Sequence, residues 1–208
     1  MLRGLYAITP ECADTARLEA LVARALEGGV RLVQYRAKSL AREARLAQAR
    51  ALVRLARRYG ARLIVNDDAA LALEADADGA HLGREDGDPA AARALLGARL
   101  LGVSCYDSLE RARAAAAAGA DYLAFGSVFP SPTKPQAVRA PLSLFAAARP
   151  LGRPLVAIGG ITLENARQAI DAGADCLAVL SALFEAPDVA RAARAFCRLF
   201  EVPARASA

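Results

Sequence analysis

What most constrains this chain is a rhythm. Eight short apolar runs, each bounded by Gly, Asp or Pro, alternate with longer Ala-, Leu- and Arg-rich stretches of helical period. That is the pattern of βα units around a parallel sheet. The runs predict strands over 5–9, 32–36, 63–66, 79–82, 100–104, 122–126, 155–158 and 176–180. Eight units in 208 residues fit a closed (β/α)8 TIM barrel, folded as one domain over residues 1–208. A doubly wound open sheet is the alternative, but no G-x-G-x-x-G follows the first run. Hydrophobic residues make up 55% of the chain, enough for a core that needs no disulfide or structural metal.

The longest helix is expected over about 40–59, with Leu40, Ala44, Ala47, Ala51 and Leu55 recurring at helical spacing before Gly60 and Arg residues on the outer face. The chain also repeats itself. Ala118-Gly119-Ala120-Asp121-Tyr122-Leu123-Ala124 returns as Ala172-Gly173-Ala174-Asp175-Cys176-Leu177-Ala178, with a looser echo at Asp78-Gly79-Ala80-His81-Leu82. A glycine closing a helix before the next strand explains the echo without a duplicated ancestry.

The formal charge is +5, but the Arg residues are scattered along helical stretches and no basic run interleaves with aromatics, so the balance favours an anionic small molecule over nucleic acid. Cys12, Cys105, Cys176 and Cys197 are far apart, form no CxxC pair and have only His81 to join them, which predicts reduced thiols in a cytoplasmic protein. Neither a signal-peptide core nor an uncharged window of 18 residues is present, so no membrane partner is expected.

In barrels of this kind the working groups sit where strands end. After the second run come Gln34, Arg36 and Lys38, alternating with Tyr35 and Ala37. While the chain stays extended, alternation puts the three polar side chains on one face, where two cations and an amide suit a phosphate or pyrophosphate. Taken alone, the run is equally a solvated strand end. The third run ends in Asn66-Asp67-Asp68 and the fourth in His81-Leu82-Gly83-Arg84-Glu85-Asp86, so neighbouring strand ends offer carboxylates suited to Mg²⁺. Asp68 reads better as a helix N-cap, and His81 as a packed, hydrogen-bonded core side chain. The sixth run opens a long loop through Ser131, Pro132, Thr133 and Lys134, and a loop of that length is usually functional. Gly159-Gly160 after the seventh run and Leu180-Ser181 after the eighth occupy the place where such barrels bind phosphate through backbone N–H groups.

These segments resemble the thiamine-phosphate synthase family over nearly the whole chain. The likeness is carried by Gln34-x-Arg36-x-Lys38, Asn66-Asp67-Asp68, His81-x-Gly83-x-x-Asp86, Gly102-Val103-Ser104, Pro130-Ser131-Pro132-Thr133-Lys134, Ile158-Gly159-Gly160-Ile161 and Leu180-Ser181-Ala182. The resemblance implies Mg²⁺-dependent coupling of a hydroxymethylpyrimidine pyrophosphate with a thiazole phosphate, giving thiamine phosphate and pyrophosphate by a dissociative substitution. It implies that Gln34, Tyr35, Arg36, Ala37, Lys38, Asn66, Ser104 and Lys134 meet the pyrimidine pyrophosphate, with Arg36, Lys38, Ser104 and Lys134 catalytic. Asp67 and Asp86 would hold Mg²⁺, and Ser131, Pro132, Thr133, Gly160, Leu180 and Ser181 would receive the thiazole phosphate. A homo-oligomer is also compatible with the family. Three positions depart from its pattern: Arg84 stands where Gln is usual, Ser131 where Thr is frequent and Tyr106 where His is frequent. Arg84 either adds a cation to the pyrophosphate side or faces solvent. A related thiazole tautomerase is the nearest rival, and a non-catalytic sensor of thiamine precursors a more distant one. The set Gln34, Lys38, Asn66, Asp67 and Asp86 argues against the first, and the intact carboxylate pair against the second.

Overall fold

The computed structural model describes residues 2–130 and 138–201. Its strands are β1 (Gly4–Ile8), β2 (Leu32–Tyr35), β3 (Arg62–Asn66), β4 (Gly79–Leu82), β5 (Leu100–Tyr106), β6 (Tyr122–Phe125), β7 (Leu155–Ile158) and β8 (Cys176–Val179). The helices are α1 (Thr15–Glu27), α2 (Arg42–Arg58), α3 (Ala69–Glu74), α4 (Pro89–Leu96), α5 (Leu109–Ala117), α6 (Ser143–Ala148), α7 (Ala166–Asp171), α8 (Ser181–Phe184) and α9 (Val189–Arg198). All neighbouring strands pair in parallel, and β1 pairs with β8 through Gly4↔Cys176 to Ala7↔Val179, so the sheet closes in chain order. The eight expected strands are present, with ends that differ by a residue or two. β2 stops at Tyr35, where the Arg36 N–H turns to the Thr9 hydroxyl at 3.0 Å. β5 runs on to Tyr106 through an irregularity after Ser104.

Alternation along each strand divides the core in two. Tyr6, Ile8, Leu32, Ile64, Tyr122, Ala124, Val156, Cys176 and Ala178 fill the barrel interior as one cluster. Leu5, Ala7, Val33, Tyr35, Leu63, Val65 and their equivalents form the layer between barrel and helices. A residue two positions beyond an interior residue therefore faces the interior at the mouth, which places Gln34 beyond Leu32 and Asn66 beyond Ile64, while His81 and Ser104 join the same interior through Tyr122.

The buried face of α2 matches the expected one only in part, at Ala51 and Leu55. Ala44 and Ala47 are exposed, and the inner stripe starts at Gln48 and continues through Ala49, Ala51, Leu52, Val53, Leu55 and Ala56. Alanine marks a face weakly, whereas Gln48 is held inside by three bonds. Its Oε1 accepts from Tyr35 Oη at 2.8 Å, and its Nε2 donates to the carbonyls of Cys12 and Ala13 at 2.9 and 3.3 Å.

The internal echo has a structural basis beyond its glycines. Gly119 and Gly173 close their helices with φ of +88° and +111°, as the cap reading requires. The aspartates that follow hold the barrel's lower rim. Asp78, Asp121 and Asp175 each accept from a backbone N–H at the start of the preceding strand, from Leu63 at 2.7 Å and from Leu101 and Leu155 at 2.8 Å. Arg93 and Arg149 add ion pairs of 2.8 Å to Asp121 and Asp175. Replacing Asp175 by Ala strips the Leu155 N–H and the Arg149 guanidinium of their acceptor together. We predict a loss of about 1–3 kcal/mol in urea unfolding. Unchanged stability would contradict this role for the repeat.

Candidate active site

The mouth of the barrel is built from strand ends that turn polar just where the apolar interior stops. Gln34 is buried at 4% exposure, with Nε2 donating to Tyr6 Oη at 2.9 Å. Tyr35 points the other way, into the helix layer, where its hydroxyl donates to Gln48, so Tyr35 offers the mouth only backbone. The turn beyond is shaped by Glu11, which the sequence did not single out. Its carboxylate accepts from the N–H groups of Lys38 and Ser39 at 3.0 Å and from the Ser39 hydroxyl at 2.7 Å. Burial by itself would raise the Glu11 carboxyl, but the Ser39 hydroxyl, the two N–H groups and the nearby Arg36 together hold it below the usual range.

Lys38 Nζ lies 3.2 Å from Asp67 Oδ2, with the lysine side chain 58% exposed and the aspartate 26%. Asp67 has a left-handed backbone (φ +66°), and its N–H donates to the His81 carbonyl at 2.8 Å, which fastens the β3 end to β4. Such conformations in a residue other than glycine concentrate at functional sites. Asp86 comes in from the next loop, its Oδ2 accepting from Gly83 N–H at 2.7 Å. Its carboxyl is pushed up, first by burial and then by the Asp67 carboxyl, with which it shares a hydrogen bond, while the Gly83 N–H and Lys38 pull the other way. Two carboxyls this close disfavour double ionisation, and a bound cation relieves that repulsion. Among the described residues no group of three or more His, Cys, Asp or Glu could hold a metal. Asp67 and Asp86 are two oxygen donors of the kind that could hold a divalent cation which keeps most of its waters.

Asp68 turns away from this pair. It caps α3 by accepting from Leu71 N–H at 2.8 Å and pairs with Arg45 at 3.3 Å. His81 is 6% exposed and hydrogen-bonded on both ring nitrogens, to Tyr122 Oη at 3.2 Å and Ser104 Oγ at 2.8 Å.

Arg111, reaching in from α5, ties the β4 and β5 ends together. Its Nε donates to the Ser104 carbonyl at 2.7 Å and its Nη2 to the Gly83 carbonyl at 3.0 Å. Two of the departures from the family pattern touch each other. The Arg84 guanidinium lies over the Tyr106 ring at 4.8 Å from its centroid, and the Arg84 N–H donates to Tyr106 Oη at 3.1 Å. Arg84 is nonetheless exposed, and Tyr106 takes a left-handed backbone (φ +56°) to reach it.

Across the mouth, Gly159 and Gly160 follow β7 with φ of +97° and +64°. A Cβ on Gly159 would lie 2.2 Å from Ser127 Oγ, and one on Gly160 2.2 Å from the Pro130 carbonyl oxygen. The glycines thus admit the loop after β6, whose Val128 and Phe129 N–H groups donate to Ile158 and Gly159 carbonyls at 2.9 and 3.0 Å. The Gly160 N–H has no acceptor among the described residues. Leu180 and Ser181 begin α8 directly after β8. Ser131, Pro132, Thr133 and Lys134 lie outside the described residues. A cavity of about 400 Å³ opens at the opposite end of the barrel, lined by Arg3, Arg31, Arg62, Cys176 and Phe200 among others. It contains none of the strand-end groups above. All four cysteines are free thiols, and no described helix is long and apolar enough to cross a membrane.

The sequence model of thiamine monophosphate synthase matches residues 5–183. A thiamine-phosphate synthase of Chromobacterium violaceum is 59% identical over 200 residues, covering 96% of this chain and 97% of that protein. One from Thiobacillus denitrificans is 60% identical over 199 residues, covering 95% and 94%. Among solved structures, thiamine phosphate pyrophosphorylase from Pyrococcus furiosus superposes with a TM-score of 0.85 at 37% identity over 95% of each chain. A 3-hexulose-6-phosphate synthase from Salmonella typhimurium, at 18% identity and a TM-score of 0.73, shares the fold.

Burial lowers the His81 imidazole from 6.5 to about 4, only partly opposed by Asp67. Unfolded, the same ring takes up a proton near its ordinary value, so the stability tied to neutral His81 is present above that value and is lost as pH falls towards 4. We predict that unfolding free energy drops more between pH 6.5 and pH 4 for the native chain than for His81→Gln, by about 1–3 kcal/mol. Equal slopes in urea titrations across that window would contradict the buried neutral ring.

Proposed function

This chain belongs to the thiamine monophosphate synthase family and is a transferase, and from that premise we propose that it couples a hydroxymethylpyrimidine pyrophosphate to a thiazole phosphate with Mg²⁺. The observation that supports this reading best is the meeting of Asp67 and Asp86 beside Lys38, at the edge of an interior face carrying Gln34, Asn66 and Ser104. A carboxylate pair flanked by cations suits a metal-bound pyrophosphate better than it suits a bare phosphate ester.

In this reading Asp67 and Asp86 would hold Mg²⁺, which when bound would supply positive charge against the departing pyrophosphate. Arg36, Lys38 and Lys134 would meet the pyrophosphate, and Gln34, Asn66, Ser104 and the backbone of Tyr35 and Ala37 would orient the pyrimidine end. The cations favour the developing anion over the bound ester, which is where electrostatic catalysis acts. The C–O bond breaks first and its electron pair leaves with pyrophosphate. The resulting pyrimidine-stabilised carbocation is captured by the thiazole nitrogen, forming the C–N bond. No strong protein base is needed, so positioning of the two substrates carries the rate. The thiazole phosphate is received by Ser131, Pro132, Thr133, the Gly160 N–H and the Leu180-Ser181 start of α8, a backbone-rich site of the kind barrels use for phosphate. The four free thiols suit a reducing compartment, and we assign the enzyme to the cytoplasm.

Thiamine phosphate formation, followed by fluorescence after oxidation, tests the reading. With both substrates and Mg²⁺ the native chain is expected to turn over, and Asp67→Asn and Asp86→Asn to lose about a hundredfold or more in rate while melting within a few degrees of it. Native-like rates in both variants at low Mg²⁺ would sink the metal assignment, and absence of product from the native chain would sink the synthase reading.

A further inference from the structure

Five polar groups run unbroken through the barrel interior. Gln34 Nε2 lies 2.9 Å from Tyr6 Oη, Tyr6 Oη 2.8 Å from Tyr122 Oη, Tyr122 Oη 3.2 Å from His81 Nδ1, and His81 Nε2 2.8 Å from Ser104 Oγ. The first four side chains are buried. Their rings are fixed by packing as well as by hydrogen bonds. Tyr6 meets Tyr122 edge-on at 84°, and His81 stacks on Tyr122 at 24° with centroids 5.6 Å apart. Gly102 leaves room for the Tyr122 ring, since a Cβ there would lie 2.0 Å from Tyr122 Cζ.

The direction of each bond follows from the donors. An amide nitrogen only donates, so Tyr6 Oη accepts from Gln34. The Tyr6 proton then goes to Tyr122 Oη, its other hydrogen-bond neighbour among the described residues. The Tyr122 proton goes to His81 Nδ1. A neutral imidazole has one N–H, and with Nδ1 accepting, that proton sits on Nε2 and points at Ser104 Oγ. The Ser104 hydroxyl proton is thereby left for another acceptor, and none is present among the described residues. The reverse arrangement, with the proton on Nδ1, would have Tyr6 Oη accepting from both Tyr122 and Gln34. Its own O–H would then be buried without an acceptor, which buried hydroxyls rarely tolerate.

We infer that Tyr6, Tyr122 and His81 are positioning residues that hold His81 in the Nε2–H form and so commit the Ser104 hydroxyl to donating to the substrate. The direction of the relay rests on the Gln34 amide presenting Nε2 to Tyr6, whereas the identity of the substrate rests on the synthase reading. The acceptor belongs to the pyrimidine pyrophosphate, either a phosphate oxygen or a ring nitrogen.

His81 is the sole histidine of the chain, so its ring nitrogens can be read in long-range ¹H–¹⁵N spectra of the uniformly labelled protein. At neutral pH the spectrum is expected to show a protonated Nε2 and an unprotonated Nδ1. A protonated Nδ1, a mixture of tautomers or an imidazolium would overturn the relay, and this test needs no variant to fold. Adding inorganic pyrophosphate with Mg²⁺, or the hydroxymethylpyrimidine alcohol alone, is expected to move the Nε2–H resonance for whichever ligand carries the Ser104 acceptor. No shift with either would overturn the donor role. Tyr122→Phe keeps the ring and removes the link, and is expected to mix the tautomers and raise KM for the pyrimidine pyrophosphate about tenfold with a smaller change in kcat. A single Nε2–H form persisting in that variant would show that Tyr122 does not set it. If the native chain shows the Nε2–H form but makes no thiamine phosphate, the synthase reading fails and the relay survives.

Discussion

A polar side chain turned into the interior of a closed barrel must find its hydrogen-bond partner there, because water is excluded and the strands have spent their own backbone groups on one another. Eight parallel strands closed through the β1–β8 pairing leave an interior reached only by alternate residues. This chain fills its middle with Tyr6, Ile64, Tyr122 and Val156, and admits Gln34 and His81 only as members of one continuous network. The mouth inherits its order from that network. Ser104 is fixed from below by His81, and the ends of β3, β4 and β5 are drawn together by the Asp67 N–H and the Arg111 guanidinium.

Above that layer the electrostatics change character. The interior network is neutral, with burial pushing Tyr6 and Tyr122 phenols up and the His81 imidazole down, so none of the three carries charge near neutral pH. Charge begins at the rim, where Lys38, Asp67 and Asp86 crowd together and Glu11 braces the turn that carries Lys38. A neutral, rigid floor under a charged and partly solvated rim suits a reaction whose bound ester must be oriented while its departing anion is stabilised.

Much of this was legible in the sequence because it is written in local patterns. Eight apolar runs with turn residues at their ends are a period-two and period-3.6 signal, and the strands lie where that signal puts them. Asp68 as a cap and His81 as a packed core histidine could also be read locally. The groups that local patterns do not reveal act over long separations. Glu11 accepts from residues 27 and 28 positions away, Arg111 donates to a carbonyl 28 positions back, and the echoed aspartates take N–H groups in strands that precede them. The inner stripe of α2 is legible only at Ala51 and Leu55, because alanine fits either face and only the partners of Gln48 decide between them. The glycines after β7 suggest close approach to a ligand in the sequence, whereas in the structure their missing Cβ atoms first make room for the neighbouring loop. Tyr106 and Arg84 look like two unrelated departures until the fold sets one guanidinium over the other's ring.

We propose that Asp67 and Asp86 form the metal side of a pyrophosphate cradle. The most direct test is anomalous scattering from crystals grown with Mn²⁺ in place of Mg²⁺ and soaked with inorganic pyrophosphate. A peak is expected within coordination distance of an oxygen of each aspartate, with pyrophosphate between the ion and Lys38. A peak held elsewhere, or pyrophosphate bound with both aspartates uninvolved, would contradict this assignment.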